Sequence, residues 1–224
     1  MKEIDVPQTA IDTLLEYVYS KVKKEDIGSY PFYMKVSRDL MYKSFGDFLN
    51  VDNISTAYIY AHDEPIPLHV DRYKVDANFN LCVPLYTTDS NQKFIVFDQI
   101  FNQCGCEWQA PNVSQKRHQP ATPEDKANSN DDNDHAESIC HKGIRPYDTD
   151  GIVGLTDNAV NEDLQNILPF DVDFYYGLSG NAWNWKPGKG LIFKSSQLHT
   201  TAAQTEFKIG CVLLMKSEDC LLNL

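Results

Sequence analysis

In Trp185-Lys-Pro-Gly-Lys-Gly-Leu-Ile-Phe-Lys-Ser-Ser-Gln-Leu-His199 a turn is followed by a short apolar strand and then by a histidine. Much earlier, Leu68-His-Val-Asp-Arg72 places an imidazole and a carboxylate two positions apart. Side chains at i and i+2 of an extended chain point to the same side, so His69 and Asp71 can both reach one metal ion. A distant histidine such as His199 would complete a set of two imidazoles and one carboxylate.

Short β-like runs, broken by Pro, Gly, Asn and Asp, surround these motifs. They are residues 57–60, 79–86, 93–97, 172–176, 190–193 and 207–215. Before them, apolar residues recur at helical spacing and predict a helix over residues 9–24, whereas residues 30–49 suit a helix or a strand equally well. A helix followed by many short strands predicts a mainly β sandwich or barrel with helical cover.

A long polar segment, residues 101–165, separates two groups of strands. It carries 12 acidic and 5 basic residues, so more than half of the net charge of −12 lies there. We interpret it as an insertion in a single domain that spans residues 1–224, in which residues 1–50 form a helical support. Its position between the middle strands makes it a candidate lid.

The bulk composition narrows the classes of partner. A net charge of −12 and a pI of about 4.8 argue against binding of nucleic acid by bulk electrostatics. The amino terminus lacks the basic and apolar regions of a secretory signal, and no run approaches the roughly 18 apolar residues of a membrane span. We therefore expect a cytoplasmic protein with no membrane partner.

Cysteines in such a compartment are expected as thiols or metal ligands before disulfides. Of the six in the chain, Cys104, Cys106 and Cys140 lie in the polar segment, close to His141. With His118, His135 and His141 they are candidate ligands of a zinc site that would hold the segment in place, although their spacing is irregular.

The ordered motifs resemble the 2-oxoglutarate and Fe(II)-dependent oxygenase superfamily, particularly its prolyl 4-hydroxylase-like branch. The shared order is a tyrosine, His-x-Asp, a strand, Pro-x-x-Gly, a strand, a histidine and then a basic residue. In this chain it falls on Tyr60, His69, Asp71, residues 187–190, His199 and Lys208. The resemblance covers residues 56–215 apart from the insertion. It implies a double-stranded β-helix, which is a jelly-roll, cupin-like barrel with the metal site inside its mouth.

The resemblance also implies roles for individual residues. His69, Asp71 and His199 would be the ligands of Fe(II), Lys208 would pair with the distal carboxylate of the co-substrate 2-oxoglutarate, and Tyr60 would hydrogen-bond the same carboxylate. The implied reaction releases succinate and carbon dioxide and hydroxylates an amino-acid, peptidyl (prolyl-like) or small-molecule substrate.

Lys208 also stands out physically, because it lies in an apolar strand, where burying an ammonium costs free energy unless the ammonium pairs with an anion. Two features depart from the family pattern. Many relatives have arginine where Lys208 stands, and a small hydroxyl residue often follows two positions later, where this chain has Gly210.

Several alternatives stay open from the sequence. His62-Asp-Glu64 has the same spacing as His69 and Asp71 and competes with them as the ligand pair. A non-catalytic β-barrel binding protein with a structural or vestigial metal site is the rival from another class, and a cupin without 2-oxoglutarate is a second enzyme rival. Trp108, Trp183 and Trp185 suit a substrate pocket, although core or rim positions are more common for aromatic residues.

Overall fold

The computed structural model describes residues 1–23, 27, 31–71, 77–103, 106–108, 119–120, 141–143, 150–203, 206–218 and 222. The amino-terminal part supplies a helical layer. Strand β1 (Lys2–Asp5) is followed by helix α1 (Gln8–Lys21), which buries residues at helical spacing and confirms the helix predicted there. The ambiguous region that follows divides into strand β2 (Phe32–Lys35) and helix α2 (Arg38–Phe45), whose first turn is capped by the side chain of Ser37.

Eight strands form the central barrel. They are β3 (Ile54–His62), β4 (Leu68–Val70), β5 (Phe79–Thr87), β6 (Lys93–Phe101), β11 (Gly180–Asn184), β12 (Lys189–Lys194), β13 (Gln197–Thr201) and β14 (Lys208–Met215). One sheet has the order β12-β5-β14-β3 at its centre, and the other has β6, β13 and β4 side by side with β11 paired to β6. All pairs among these eight strands are antiparallel.

This strand order is that of a double-stranded β-helix. Along the chain the strands alternate between the two sheets, except that β6 and β11 are neighbours in the same sheet. The mainly β, jelly-roll prediction is therefore confirmed. Five of the six predicted runs correspond to barrel strands.

The sixth predicted strand, residues 172–176, is wrong. Val172–Tyr175 is a 3₁₀ turn, in which the side chain of Asp171 accepts a hydrogen bond from the backbone N–H of Asp173. Consecutive Phe174 and Tyr175 are both buried, a pattern that a turn can satisfy and a half-buried strand, with its period of two, cannot.

The predicted insertion adds short strands to both sheets. Strands β7 (Cys106–Trp108), β9 (His141–Gly143) and β10 (Ile152–Val153) extend the sheet that contains β4 and β6, and β8 (Gln119–Pro120) joins β2. A short helix, α3 (Glu162–Gln165), follows. Most of the segment lies outside the described residues, so its role as a lid stays a prediction.

The predicted zinc ligands fall in the same segment. Only the backbone of Cys106 and His141 is described, and the other four lie outside the described residues: Cys104, His118, His135 and Cys140.

Strand β14 separates two apolar regions. Ile209, Cys211 and Leu213 belong to the core beneath the helices, whereas Val212 packs on an aromatic cluster between the sheets. Because neighbouring residues on a strand point to opposite faces, Lys208 and Gly210 share the inner face with Val212. Within the described ranges, no helix is long and apolar enough to cross a bilayer.

Candidate metal centre

Three of the predicted ligands meet where β4 and β13 pair. His69 and His199 are directly opposite each other in the sheet, and Asp71 follows the end of β4. Nε2 of His199 lies 3.1 Å from Oδ2 of Asp71, and Nε2 of His69 lies 3.6 Å from Oδ1. Ligands at right angles around a metal, with bonds of about 2.1 Å, lie roughly 3 Å apart. The three donor atoms, which all lie within 4.8 Å of one another, therefore fit one ion.

Both imidazole rings are oriented by the backbone. Nδ1 of His69 lies 2.7 Å from the carbonyl oxygen of Pro67, and Nδ1 of His199 lies 2.9 Å from that of Gln197. A carbonyl oxygen only accepts, so each Nδ1 carries the proton and donates it. The register of β13 shifts between Gln197 and His199, the kind of irregularity that re-aims a side chain next to a site.

With Nδ1 donating to the backbone, the Nε2 atom of each ring faces Asp71 and can take a proton or bind a metal ion. In a neutral imidazole with Nδ1 protonated, Nε2 presents a lone pair, and here both Nε2 atoms of His69 and His199 face the carboxylate of Asp71. Lone pairs and a carboxylate repel one another unless protons or a metal ion lie between them. Two imidazole nitrogens and one carboxylate are the donor set of non-haem Fe(II) sites.

Asp71 is held by two groups outside the ligand set. Its Oδ2 accepts a 2.8 Å hydrogen bond from Nδ2 of Asn80 on β5, and its backbone N–H donates to the carbonyl of Ser195. No motif in the sequence points to Asn80. The available signal is that it is the one amide in the otherwise apolar start of the strand, Phe79-Asn-Leu-Cys-Val.

The centre is open on one side. The side chain of His199 is 2% exposed, whereas those of His69 and Asp71 are 16% and 13% exposed. The rings of Phe94 and Phe193 lie 5.5 and 4.9 Å from that of His199 and form an apolar wall. A small reactant would approach from the side of His69 and Asp71.

The competing pair contributes to no such centre. His62 is 5% exposed and lies on the inner face of β3, where its ring stacks with Tyr60. Among the residues that the structure describes, the only group of His, Cys, Asp and Glu side chains close enough to share an ion is His69, Asp71 and His199.

Lys208 lies within the barrel and is fully buried. Its Nζ has no hydrogen-bond partner in the described part of the chain and lies 4.8 Å from the centre of the Trp185 ring. Burial lowers the pKa of Lys208 to about 7, and the titratable group beside it is Cys82. Burial, followed by the charge of Asp71, raises the pKa of Cys82 well above its ordinary value, so the thiol stays neutral and supplies no counter-charge.

Tyr60 lies on the same inner surface as Lys208. It is opposite Gly210 in the pairing of β3 with β14, and Lys208 is opposite His62. Residues directly opposite in an antiparallel pair point to the same face of the sheet. The predicted contact of Tyr60 with a bound carboxylate stays a prediction.

Gly210 has a geometric reason to lack a side chain. A Cβ at this position would lie 2.5 Å from Cζ2 of Trp185, a distance that requires the indole to move. The aromatic ring therefore occupies the space in front of β14 that a residue with a side chain would fill.

Comparisons with known proteins give distant likenesses. No protein-family model matches the chain, and no curated protein matches it in sequence. An oxidoreductase of the 2OG-Fe(II) oxygenase family from Burkholderia pseudomallei is 9% identical over 96% of this chain and 84% of its own, with a TM-score of 0.40. The non-haem alpha-ketoglutarate-dependent epimerase SnoN from nogalamycin biosynthesis is 8% identical over 95% and 78%, with a TM-score of 0.41. The carbocyclase SnoK from the same biosynthesis is 8% identical over 95% and 79%, with a TM-score of 0.40.

Proposed function

We propose that this chain is an Fe(II)- and 2-oxoglutarate-dependent dioxygenase that hydroxylates its substrate and releases succinate and carbon dioxide. One observation carries the proposal: a side-chain cluster that could hold a metal ion and a buried lysine with no hydrogen-bond partner among the described residues lie inside the same barrel. A cupin that uses metal alone would leave Lys208 without a role. Fe(II) would bind to the cluster, and the distal carboxylate of a dicarboxylic 2-oxo acid would pair with Lys208.

Different residues would bind the metal ion and the co-substrate. His69, Asp71 and His199 would hold Fe(II), which when bound supplies the activation of dioxygen. Lys208, with Tyr60, would bind the distal carboxylate of 2-oxoglutarate and fix its orientation in the barrel. Pairing with that carboxylate keeps the ammonium protonated, which reverses the effect of burial on its pKa.

The substrate would enter from the exposed side of the centre, beside His69 and Asp71. An amino-acid, peptidyl or small-molecule substrate is proposed, with a prolyl-like side chain as the first class to test. With Asp71 as a ligand, we propose hydroxylation rather than halogenation, since the carboxylate fills a coordination position that chloride would need.

The test of the proposed function is turnover of 2-oxoglutarate by the purified protein in the presence of Fe(II) and dioxygen, measured as release of succinate. We expect His69→Ala, Asp71→Ala and His199→Ala each to abolish it, because few bonds hold the ion. Glu64→Ala, from the competing pair, is the matched control and should retain it, and His62→Ala tests the other member of that pair. Metal binding without any turnover would support the rival binding protein, and loss of activity only in His62→Ala and Glu64→Ala would move the site to the earlier pair.

A further inference from the structure

Three buried side-chain nitrogen donors have no acceptor among the described residues: Nε1 of Trp108 on β7, which packs against Phe101, and, inside the barrel, Nε1 of Trp185 and Nζ of Lys208. Trp185 is 4% exposed, and neither its Nε1 nor the Nζ of Lys208 has a hydrogen-bond partner among the described residues. A buried donor without an acceptor loses its hydrogen bond to water and gains nothing in return, so such groups are rare in folded proteins. The nearby Trp183 makes the contrast, because its Nε1 donates a 2.6 Å hydrogen bond to Glu3.

The two unpartnered donors inside the barrel lie at one place. Nζ of Lys208 is 4.8 Å from the centre of the Trp185 ring. The edge of the ring that lies against Gly210 is formed by Cζ2 and Cη2, and Cζ2 is two bonds from Nε1. Since Gly210 is on the same face of β14 as Lys208, the indole and the ammonium border the same inner space of the barrel, with the ammonium over the face of the ring.

The indole is held in this position by its surroundings. The backbone N–H of Trp185 donates to the carbonyl of Gln92, and the rings of Phe94 and Trp183 lie 6.0 and 6.3 Å from the Trp185 ring. Fixed donors lose little rotational freedom when an acceptor arrives. A planar carboxylate has two oxygens that each accept hydrogen bonds, so it can accept one from an ammonium and one from an indole N–H at the same time.

We propose that Trp185 is a binding residue for the co-substrate: its indole N–H donates to the distal carboxylate of 2-oxoglutarate beside Lys208, and so helps to select a dicarboxylic over a monocarboxylic 2-oxo acid. This role rests on the proposed function. In this role, the selectivity for a dicarboxylic acid comes from the neutral indole N–H of Trp185 as well as from the positive charge of Lys208.

The experiment compares binding of 2-oxoglutarate and 2-oxobutyrate, which lacks the distal carboxylate, to the Zn(II)-loaded protein without dioxygen, by calorimetry. Trp185→Phe keeps an aromatic ring and removes the N–H, and Trp183→Phe is the matched control because its N–H already bonds Glu3. A hydrogen bond to a charged group corresponds to about a 10-fold or larger change in affinity. We expect Trp185→Phe to weaken 2-oxoglutarate binding by that factor, with 2-oxobutyrate binding unchanged and the control like the wild type.

A second measurement uses the wild-type protein and does not depend on the folding of Trp185→Phe. In ¹⁵N spectra, the indole signals of the three tryptophans are assigned by elimination with Trp108→Phe and Trp183→Phe. The Trp185 N–H should move downfield on addition of 2-oxoglutarate and not of 2-oxobutyrate.

Two negative results have different meanings. An unmoved Trp185 signal, or an unchanged preference for the diacid in Trp185→Phe, overturns the role of Trp185 alone. A wild-type protein that does not prefer 2-oxoglutarate to 2-oxobutyrate overturns the proposed function and the role of Trp185 with it.

Discussion

Replacing Lys208 with methionine should stabilise the ligand-free protein. The change removes a fully buried ammonium that has no hydrogen-bond partner in the described structure and keeps an unbranched side chain of similar volume. Replacing buried charges by apolar residues of similar volume is often neutral or stabilising. Lys208→Met should therefore have a larger free energy of unfolding than the wild-type protein.

The magnitude follows from the pKa of Lys208, which burial lowers from 10.5 to about 7. Each unit of difference between the folded and unfolded chains corresponds to about 1.4 kcal/mol, so the penalty at pH 6 is on the order of 5 kcal/mol. Between pH 7 and 10.5 the unfolded chain binds more protons at this lysine than the folded chain does. Stability of the wild type therefore rises with pH in that window as the penalty disappears.

The assay is urea unfolding of metal-free wild type and Lys208→Met at pH 6, 7, 8 and 9. Other titrating groups are common to both proteins, so the difference between their free energies of unfolding isolates Lys208. That difference should favour the variant by several kcal/mol at pH 6 and shrink by about 1.4 kcal/mol per pH unit above pH 7. Equal stabilities at pH 6, or a difference independent of pH, would refute the view of Lys208 as a buried, unpaired charge.

Three further outcomes are expected. Asn80→Ala should weaken metal binding about 10- to 100-fold, because it removes the hydrogen bond that orients Asp71. A titration with Mn(II), followed by electron paramagnetic resonance, measures the affinity. An unchanged affinity for Mn(II) would show that Asn80 does not position Asp71. Gly210→Ala should displace the Trp185 ring and weaken 2-oxoglutarate binding while Mn(II) binding is retained; calorimetry measures both, and wild-type affinity for 2-oxoglutarate would contradict the close contact. Binding of 2-oxoglutarate should weaken up to about tenfold per pH unit above pH 7, since neutral Lys208 must first take up a proton, and a flat profile to pH 9 would exclude this coupling.

Much of the fold and the centre could be predicted because both depend on local spacing and order. The i, i+2 relation puts His69 and Asp71 on one side of an extended chain, and the apolar runs before and after them are long enough to indicate strands. That His199 lies directly opposite His69 is a property of strand pairing between distant segments. Periodicity does not contain this information, and only the order of motifs in a known family suggested it.

The errors arise where tertiary packing overrides local propensity. Residues 172–176 contain one valine and three aromatic residues, which favour strands, yet the neighbouring Phe174 and Tyr175 are both buried by a turn. The strand that pairs with β6 is Gly180–Asn184 instead, whose glycine and asparagines have low strand propensity. Its Gly180 is needed because a Cβ there would lie 2.5 Å from the carbonyl oxygen of Val96.

Gly210 stands where the family pattern often has a hydroxyl residue, and Trp185, in the connection between β11 and β12, explains this departure. From sequence alone, the absence of a hydroxyl at this position removes one contact to the co-substrate. In the structure, the missing side chain is what allows the Trp185 ring to lie against β14 beside Lys208. In the role that we propose for Trp185, its indole N–H donates to the distal carboxylate in place of that hydroxyl. Positions 185 and 210 are thus coupled by contact, and neither residue can be interpreted without the other.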